Sequence, residues 1–244
     1  MMFSVPTRVH NNTGYWGPVD AIHQFCEPHY NTSHYIAEFW NATTSIVFPL
    51  VACHAYFQIR LLPNVGWTKA ACAWLCLIGV GSFMYHATMR RSMQLLDEAP
   101  MICFMATCVM GKLQYHSWSK DNVTSSRGIV AAGAGVLIYI YAVLEQYEIF
   151  IKGFSLLFGL EFLAGFGWMN VVDETWLAVS TGVLIIIGRI VWEAEQQMCE
   201  THPDVWILHI IWHLSAAAGA HQWLLFNAFL MDKLDNGGKK LKCV

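Results

Sequence analysis

The sequence has little charge. Only 13% of its 244 residues are charged, against roughly 25% in a soluble domain, and the formal net charge is −3. This near-neutral balance gives no sign of a nucleic-acid-binding protein, so we expect no nucleic-acid partner. Hydrophobic residues make up 56% of the chain, and its mean hydropathy is +0.41. These values exclude an ordinary soluble domain and predict a protein that crosses a membrane several times.

Three sequence signals are also missing. The eight cysteines form no Cys-x-x-Cys pair, which argues against a zinc ribbon. The N-terminus has no basic residues followed by an apolar run, so we expect no cleavable signal peptide. No internal repeat is visible, and this disfavours a transporter built from inverted repeats.

Seven apolar runs approach the length of about 20 residues that a membrane-spanning helix needs. Backbone polar groups in lipid must bond within their own segment, so we expect these runs to be helices. The runs are Glu38–Leu62, Thr68–Thr88, Met93–Gln114, Gly128–Gln146, Ile149–Asn170, Thr175–Trp192 and Val205–Met231. The sequence predicts an all-α membrane protein with a seven-transmembrane helix bundle at 38–231, an N-terminal segment at 1–37 and a basic tail at 232–244.

The basic residues of the connections predict the orientation of this bundle. With seven spans, the two termini lie on opposite sides of the membrane. The side of the N-terminus carries Arg8, Arg90, Arg91 and Lys152. The other side carries more, namely Arg60, Lys69, Lys112, Lys120, Arg127, Lys233, Lys239, Lys240 and Lys242. The positive-inside rule therefore places the C-terminus in the cytosol and the N-terminus outside or in the lumen.

Polar side chains recur at one depth of the predicted bundle, near its lumenal side. Ser82 and His86 lie four residues apart at the end of the second run, and Asp97 lies near the start of the third. His209 and His213 lie four residues apart near the start of the seventh run. Residues four apart share one face of a helix. We therefore expect side chains from three different helices to converge.

Three histidines with an open fourth position are the composition of a catalytic zinc site. Asp97 would take a proton from a metal-bound water, and Ser82 would donate a hydrogen bond to an oxyanion. Simpler interpretations stay open for each residue alone. The paired histidines can bridge helices, Ser82 can be a packing residue, and Asp97 can cap its helix. Ionisable groups within a membrane are costly, which favours a functional site.

Five stretches resemble the alkaline ceramidase family, within a wider superfamily of membrane hydrolases that includes the PAQR receptors. They are Gly14–Pro18, Tyr35–Asn41, Gly81–His86, Met93–Met101 and His209–His213. These motifs occur in the order and spacing of the family and cover nearly the whole chain. The resemblance implies seven transmembrane helices with a lumenal N-terminus, which agrees with the distribution of basic residues.

The resemblance implies an enzyme that hydrolyses the amide of ceramide to sphingosine and a fatty acid. On matching positions it implies His86, His209 and His213 as zinc ligands. It also implies Asp97 as the base on the zinc-bound water and Ser82 as the group that stabilises the oxyanion. The expected partners are ceramide, other sphingolipid N-acyl amides and membrane lipid. The expected location is the endoplasmic reticulum or Golgi membrane, with the active site near the lumenal side.

Animal members of the family carry a calcium site in the N-terminal segment, and Glu27 and Glu38 match its ligands. Gln24 and His29 stand where the family has an acid and an asparagine. Losing a carboxylate weakens a site for a hard cation, so calcium stays in doubt. Without calcium, Glu38 would pair with a neighbouring base or hydrogen-bond within the segment.

The family also pairs cysteines at the places of Cys26 and Cys199. Both are expected in the lumen, a compartment that permits disulfides. The resemblance therefore implies a Cys26–Cys199 bridge, and the alternative is two free thiols.

Other function classes stay open. A seven-helix receptor or sensor of the same superfamily would keep zinc for structure or slow hydrolysis and would tolerate Asp97→Asn. A bis-histidine haem protein is a third class, but His209 and His213 on one helix face could not both be axial ligands. No role follows for Glu161, an acidic residue within the fifth run.

Overall fold

The structure is a computed structural model that describes residues 14–116 and 119–236. The secondary structure elements within these two ranges are all helical, and eight of them are α-helices. They are α1 Phe39–Thr44, α2 Val47–Ile59, α3 Gly66–Thr88, α4 Arg91–Lys112, α5 Val123–Leu144, α6 Tyr147–Phe166, α7 Thr175–Met198 and α8 Ile207–Asp235. Short 3₁₀ turns occur at Leu113–Tyr115, Lys120–Asn122, Met169–Val171 and Pro203–Trp206.

Each of the seven apolar runs lies in a helical region. The first run is divided into α1 and α2, with Ser45 and Ile46 between them. The sixth run does not end at Trp192, because α7 continues to Met198. Glu195 in this extra stretch is buried and paired with a histidine, so its charge does not end the helix. Residues 237–244 of the predicted basic tail lie outside the described residues.

Several helical segments have the length and hydropathy of a membrane span. They are Phe39–Ile59, Gly66–Thr88, Arg91–Tyr115, Lys120–Leu144 and Thr175–Met198. In addition, α6 and α8 are 20 and 29 residues long. The chain is therefore a helical membrane protein, and the count of seven spans stays a prediction.

Close helix packing places the polar residues of α3 beside α4. A Cβ atom added at Gly81 would lie 2.3 Å from the backbone oxygen of Leu96, so only glycine permits this approach. Small residues at helix interfaces let backbones approach in this way. Elsewhere in the bundle, α7 packs along α8, and α2 contacts both α3 and α8. A hydrogen bond of 2.8 Å between His54 and His221 links α2 to α8.

The N-terminal segment folds over the end of α3. Backbone N–H groups of Ala37 and Glu38 donate to the carbonyls of Ala87 and His86, each at 2.9 Å. The Tyr85 hydroxyl donates to the carbonyl of His23 at 2.5 Å. Met89 ends α3 in a left-handed conformation, at φ 51°. These bonds fix the segment directly above the histidines of the bundle.

Candidate active site

Three histidines meet in the interior of the bundle. His86 comes from the last turns of α3, and His209 and His213 lie one turn apart near the start of α8. One ring nitrogen from each histidine lies within 4.8 Å of the other two. All three side chains are buried. The predicted convergence of the three histidines is confirmed.

Each histidine ring is oriented by a second side chain that bonds its Nδ1 atom. The pairs are His86 with Glu38 at 2.6 Å, His209 with Glu195 at 2.9 Å, and His213 with Thr44 at 2.9 Å. Carboxylates accept from the Nδ1–H groups of neutral rings, which leaves the Nε2 lone pairs unprotonated. Such partners fix the tautomer and orientation of metal-binding histidines. The arrangement prepares three Nε2 atoms for one metal ion.

Thr44 also accepts a hydrogen bond from the Nδ1–H group of its histidine, His213. Its hydroxyl donates to the carbonyl of Trp40 at 2.8 Å, at the end of a helical turn. A hydroxyl has one proton, so the oxygen of Thr44 accepts from Nδ1–H of His213. The donor set of three neutral imidazoles fits zinc, which takes three protein ligands and one open position in catalytic sites.

Glu195 joins the histidine cluster to the N-terminal segment. Its second oxygen accepts the backbone N–H of Cys26 at 3.0 Å. The sulfur atoms of Cys26 and Cys199 lie 2.08 Å apart, and their Cα atoms are separated by 5.5 Å. This Cα separation lies within the range that a disulfide spans. The structure therefore places the two cysteines next to each other, as the resemblance implies.

Glu27 and Glu38 are both engaged by donors of the chain. Glu27 accepts the backbone N–H groups of Trp40 and Asn41, at 2.7 and 2.8 Å, and so caps α1. Glu38 bonds His29 at 3.2 Å, in addition to its bond with His86. With these oxygens occupied, and with an imidazole at position 29, the residues do not fit a calcium site. Glu38 instead pairs with neighbouring bases.

Burial shifts two acid–base groups of the N-terminal segment. Desolvation raises the pKa of Glu27 to about 7, with a smaller contribution from the charge of Glu38. Desolvation lowers the pKa of His23 to about 3, because its ring stacks on Tyr147 and Trp192. His23 is therefore neutral at pH 7 above the histidine cluster.

Ser82 lies beside the cluster and has a partner that sequence reasoning missed. Its hydroxyl is 2.9 Å from that of Ser45, which donates in turn to the carbonyl of Asn41 at 2.9 Å. Because the single proton of Ser45 is used there, Ser82 donates to Ser45 in this arrangement. Its proton must turn towards the cavity to reach any bound group.

Asp97 lies six residues inside α4, so it does not cap that helix, and the capping interpretation is wrong. The carboxyl group lines a cavity together with Ser82 and the three histidines. In contrast, the neighbouring Glu98 accepts a hydrogen bond from the Tyr141 hydroxyl. Both acids line the cavity, and the difference between them is that Glu98 is also bonded to Tyr141 of α5.

The cavity has a volume of about 520 Å³, which is typical of a site for a small molecule. Its walls are mostly apolar, and the three histidines lie together with Ser82 and Asp97 at one end, which we call the polar end. Phe25 of the N-terminal segment contributes to that end, with its ring centroid 4.0 Å from that of His209. This shape suits a ligand that has a polar reacting group and a long apolar chain.

Sequence reasoning missed Thr44, Ser45 and Glu195. Thr44 and Ser45 are ordinary residues in an apolar run. No local pattern marks Thr44 as the partner of His213, 169 residues away, or Ser45 as the partner of Ser82, 37 residues away. Glu195 did carry a signal, since an acidic residue that continues an apolar run needs a partner. The prediction that the helix ended at Trp192 removed this residue from consideration.

Comparisons with known proteins identify the family of this chain. The ceramidase family model matches residues 17–243. An alkaline ceramidase 3 of Mus musculus is 23% identical over 236 residues, which cover 88% of this chain and 86% of that protein. An alkaline ceramidase of Arabidopsis thaliana is 24% identical and covers 90% of this chain and 86% of its own length. A Saccharomyces cerevisiae alkaline ceramidase is 36% identical over 100 residues, 38% of this chain and 29% of that protein. The chain belongs to the ceramidase family.

Proposed function

We propose that this protein is a zinc-dependent intramembrane amidase that hydrolyses the N-acyl amide of ceramide to sphingosine and a free fatty acid. The observation that carries the proposal is the cluster of three buried histidines at the polar end of an apolar cavity. Its Nδ1 partners leave three Nε2 atoms for one ion. Family membership supports the reaction class, because the relatives are named alkaline ceramidases.

The residues at the polar end have distinct roles in this proposal. When bound by His86, His209 and His213, zinc would supply a Lewis acid and lower the pKa of water. Asp97 would accept a proton from the attacking water and return it to the nitrogen of sphingosine as the C–N bond breaks. Ser82 would rotate away from Ser45 and donate to the carbonyl oxygen as negative charge develops there.

The proposed topology places this reaction near the lumenal side of the endoplasmic reticulum or Golgi membrane. Seven spans within 38–231, with 1–37 in the lumen and 232–244 in the cytosol, follow from the basic residues of the connections. A Cys26–Cys199 disulfide would be compatible with this orientation, because the lumen is oxidising. It would hold the N-terminal segment over the helix ends, where Glu38 meets His86.

The test is the release of sphingosine and fatty acid from ceramide by the purified full chain. We expect Asp97→Asn to bind zinc and stay folded while losing turnover, since the proton acceptor is removed. His213→Ala should lose zinc and turnover together. Asp121→Asn, at an exposed aspartate in a connection, is the matched control and should keep wild-type turnover. Near wild-type hydrolysis by Asp97→Asn would contradict the role of Asp97. A folded wild type that binds zinc but hydrolyses no lipid amide would favour the receptor class.

A further inference from the structure

The cavity continues from the histidines along one face of α8. His213, Ala216, Ala220 and Trp223 all line it, at spacings of three or four residues. At 1.5 Å per residue, His213 and Trp223 are separated by about 15 Å along the helix axis. The hydrocarbon core of a bilayer is about 30 Å thick, so this distance is about one leaflet, the depth of a single acyl chain.

Trp223 lies at the far end of the cavity and is fixed by contacts from two other helices, α4 and α6. Its indole N–H donates to Glu161 of α6 at 3.2 Å. The ammonium group of Lys112, from α4, lies 4.7 Å from the centroid of the ring. Gly165 leaves room for the indole, because a Cβ atom there would lie 2.3 Å from the ring. The ring therefore has little freedom to move aside.

Lys112 and Glu161 form a buried ion pair directly against this ring. Apolar residues of similar size are often at least as stabilising as a buried pair, so stability alone does not account for these charges. Charged groups inside a membrane-spanning bundle are costly and usually functional. Their two contacts to Trp223, one to the N–H and one to the ring face, indicate that they hold the indole in place.

We propose that Trp223, fixed by Glu161 and Lys112, closes the far end of the cavity and sets the longest acyl chain that the enzyme hydrolyses. The inference rests on the proposed function, and it assigns the cavity to the acyl chain of ceramide. Chains up to about one leaflet in depth fit between the histidines and the indole. A longer chain would have to displace this fixed ring. Such a displacement is costly in the same way as the insertion of extra methylene groups into a well-packed core.

The experiment measures kcat/KM of the full chain on ceramides whose saturated acyl chains range from medium to very long. We expect Trp223→Leu to raise activity on the very-long-chain members, relative to the best wild-type substrate, by about tenfold. Ala220→Leu, which adds bulk to the cavity wall, should shift preference towards shorter chains. Glu161→Gln, which removes the charge of the acid beside Lys112, should broaden the profile in the same direction as Trp223→Leu.

Trp176→Ala is the matched control, since Trp176 is an exposed tryptophan of α7 that does not line the cavity. It should leave the chain-length profile unchanged. Active Trp223→Leu and Ala220→Leu variants with the wild-type profile would overturn the inference. A shift in preference for the length of the sphingoid base, rather than of the acyl chain, would also overturn it. Failure of the wild type to hydrolyse any ceramide would instead refute the proposed function.

Discussion

Glu195→Gln isolates the orientation of one proposed zinc ligand. The carboxylate of Glu195 serves two buried donors, Nδ1–H of His209 at 2.9 Å and the backbone N–H of Cys26 at 3.0 Å. Glutamine has the same shape but only one acceptor oxygen, so one donor loses its partner or faces an NH₂ group. A buried donor left without a partner costs about 1–3 kcal/mol. Loss of such a partner typically lowers zinc affinity by about 10–100-fold.

The assay is zinc transfer from the purified, folded protein to a competing chelator of known affinity. Glu193→Gln is the control, because it changes a neighbouring acid of α7 that pairs with Arg189 and does not contact the histidines. Glu195→Asp keeps two acceptors and the charge, and we expect it to recover part of the affinity. Wild-type zinc affinity in Glu195→Gln, with an unchanged Glu193→Gln control, would refute the account of how His209 is held.

Three further predictions follow from the same contacts. Thr44→Val removes the acceptor for His213 and should lower zinc affinity about tenfold; Thr43→Val, whose hydroxyl bonds only to backbone carbonyls of α1, should not. Cys26→Ser should lower the free energy of unfolding by about 2–4 kcal/mol if the disulfide forms, and an unchanged melting temperature would contradict that bond. Burial raises the pKa of Glu27 from its ordinary value of 4.5 to about 7. Between these two pH values, the carboxyl group is therefore protonated in the folded protein and ionised in the unfolded chain. The stability of the wild type should therefore fall relative to that of Glu27→Gln as pH rises from 4.5 to about 7. The same pH dependence of the melting temperature in both proteins would contradict this.

Hydropathy and span counting predicted the parts of the fold that depend on local sequence. Long apolar runs in lipid have few alternatives to a helix, so all seven runs lie in helical regions. Counting spans also placed His86 and His213 at one depth, which the structure confirms. The boundaries were less predictable. The helix α7 continues through Glu195 because this buried acid is paired with His209 of α8. This partner lies 14 residues further along the chain, on another helix.

The partners of the site residues were the least predictable feature. Ser82 was singled out from the sequence, but its contact with Ser45 depends on how α3 packs against the first helical region. The contacts of Glu161 were equally hidden, since Lys112 and Trp223 lie on other helices. Such pairings are properties of helix packing, and a single sequence does not encode them in any local pattern.

The most direct test of the account is a zinc titration of activity. The wild-type protein is stripped with a chelator, and sphingosine release from ceramide is measured as zinc is added back. We expect activity to vanish and then return fully at about one zinc per chain, as a three-histidine site with one open position requires. His86→Ala, treated in the same way, should bind no zinc and stay inactive. Full ceramide hydrolysis by the zinc-free protein, or by His86→Ala, would contradict the central claim.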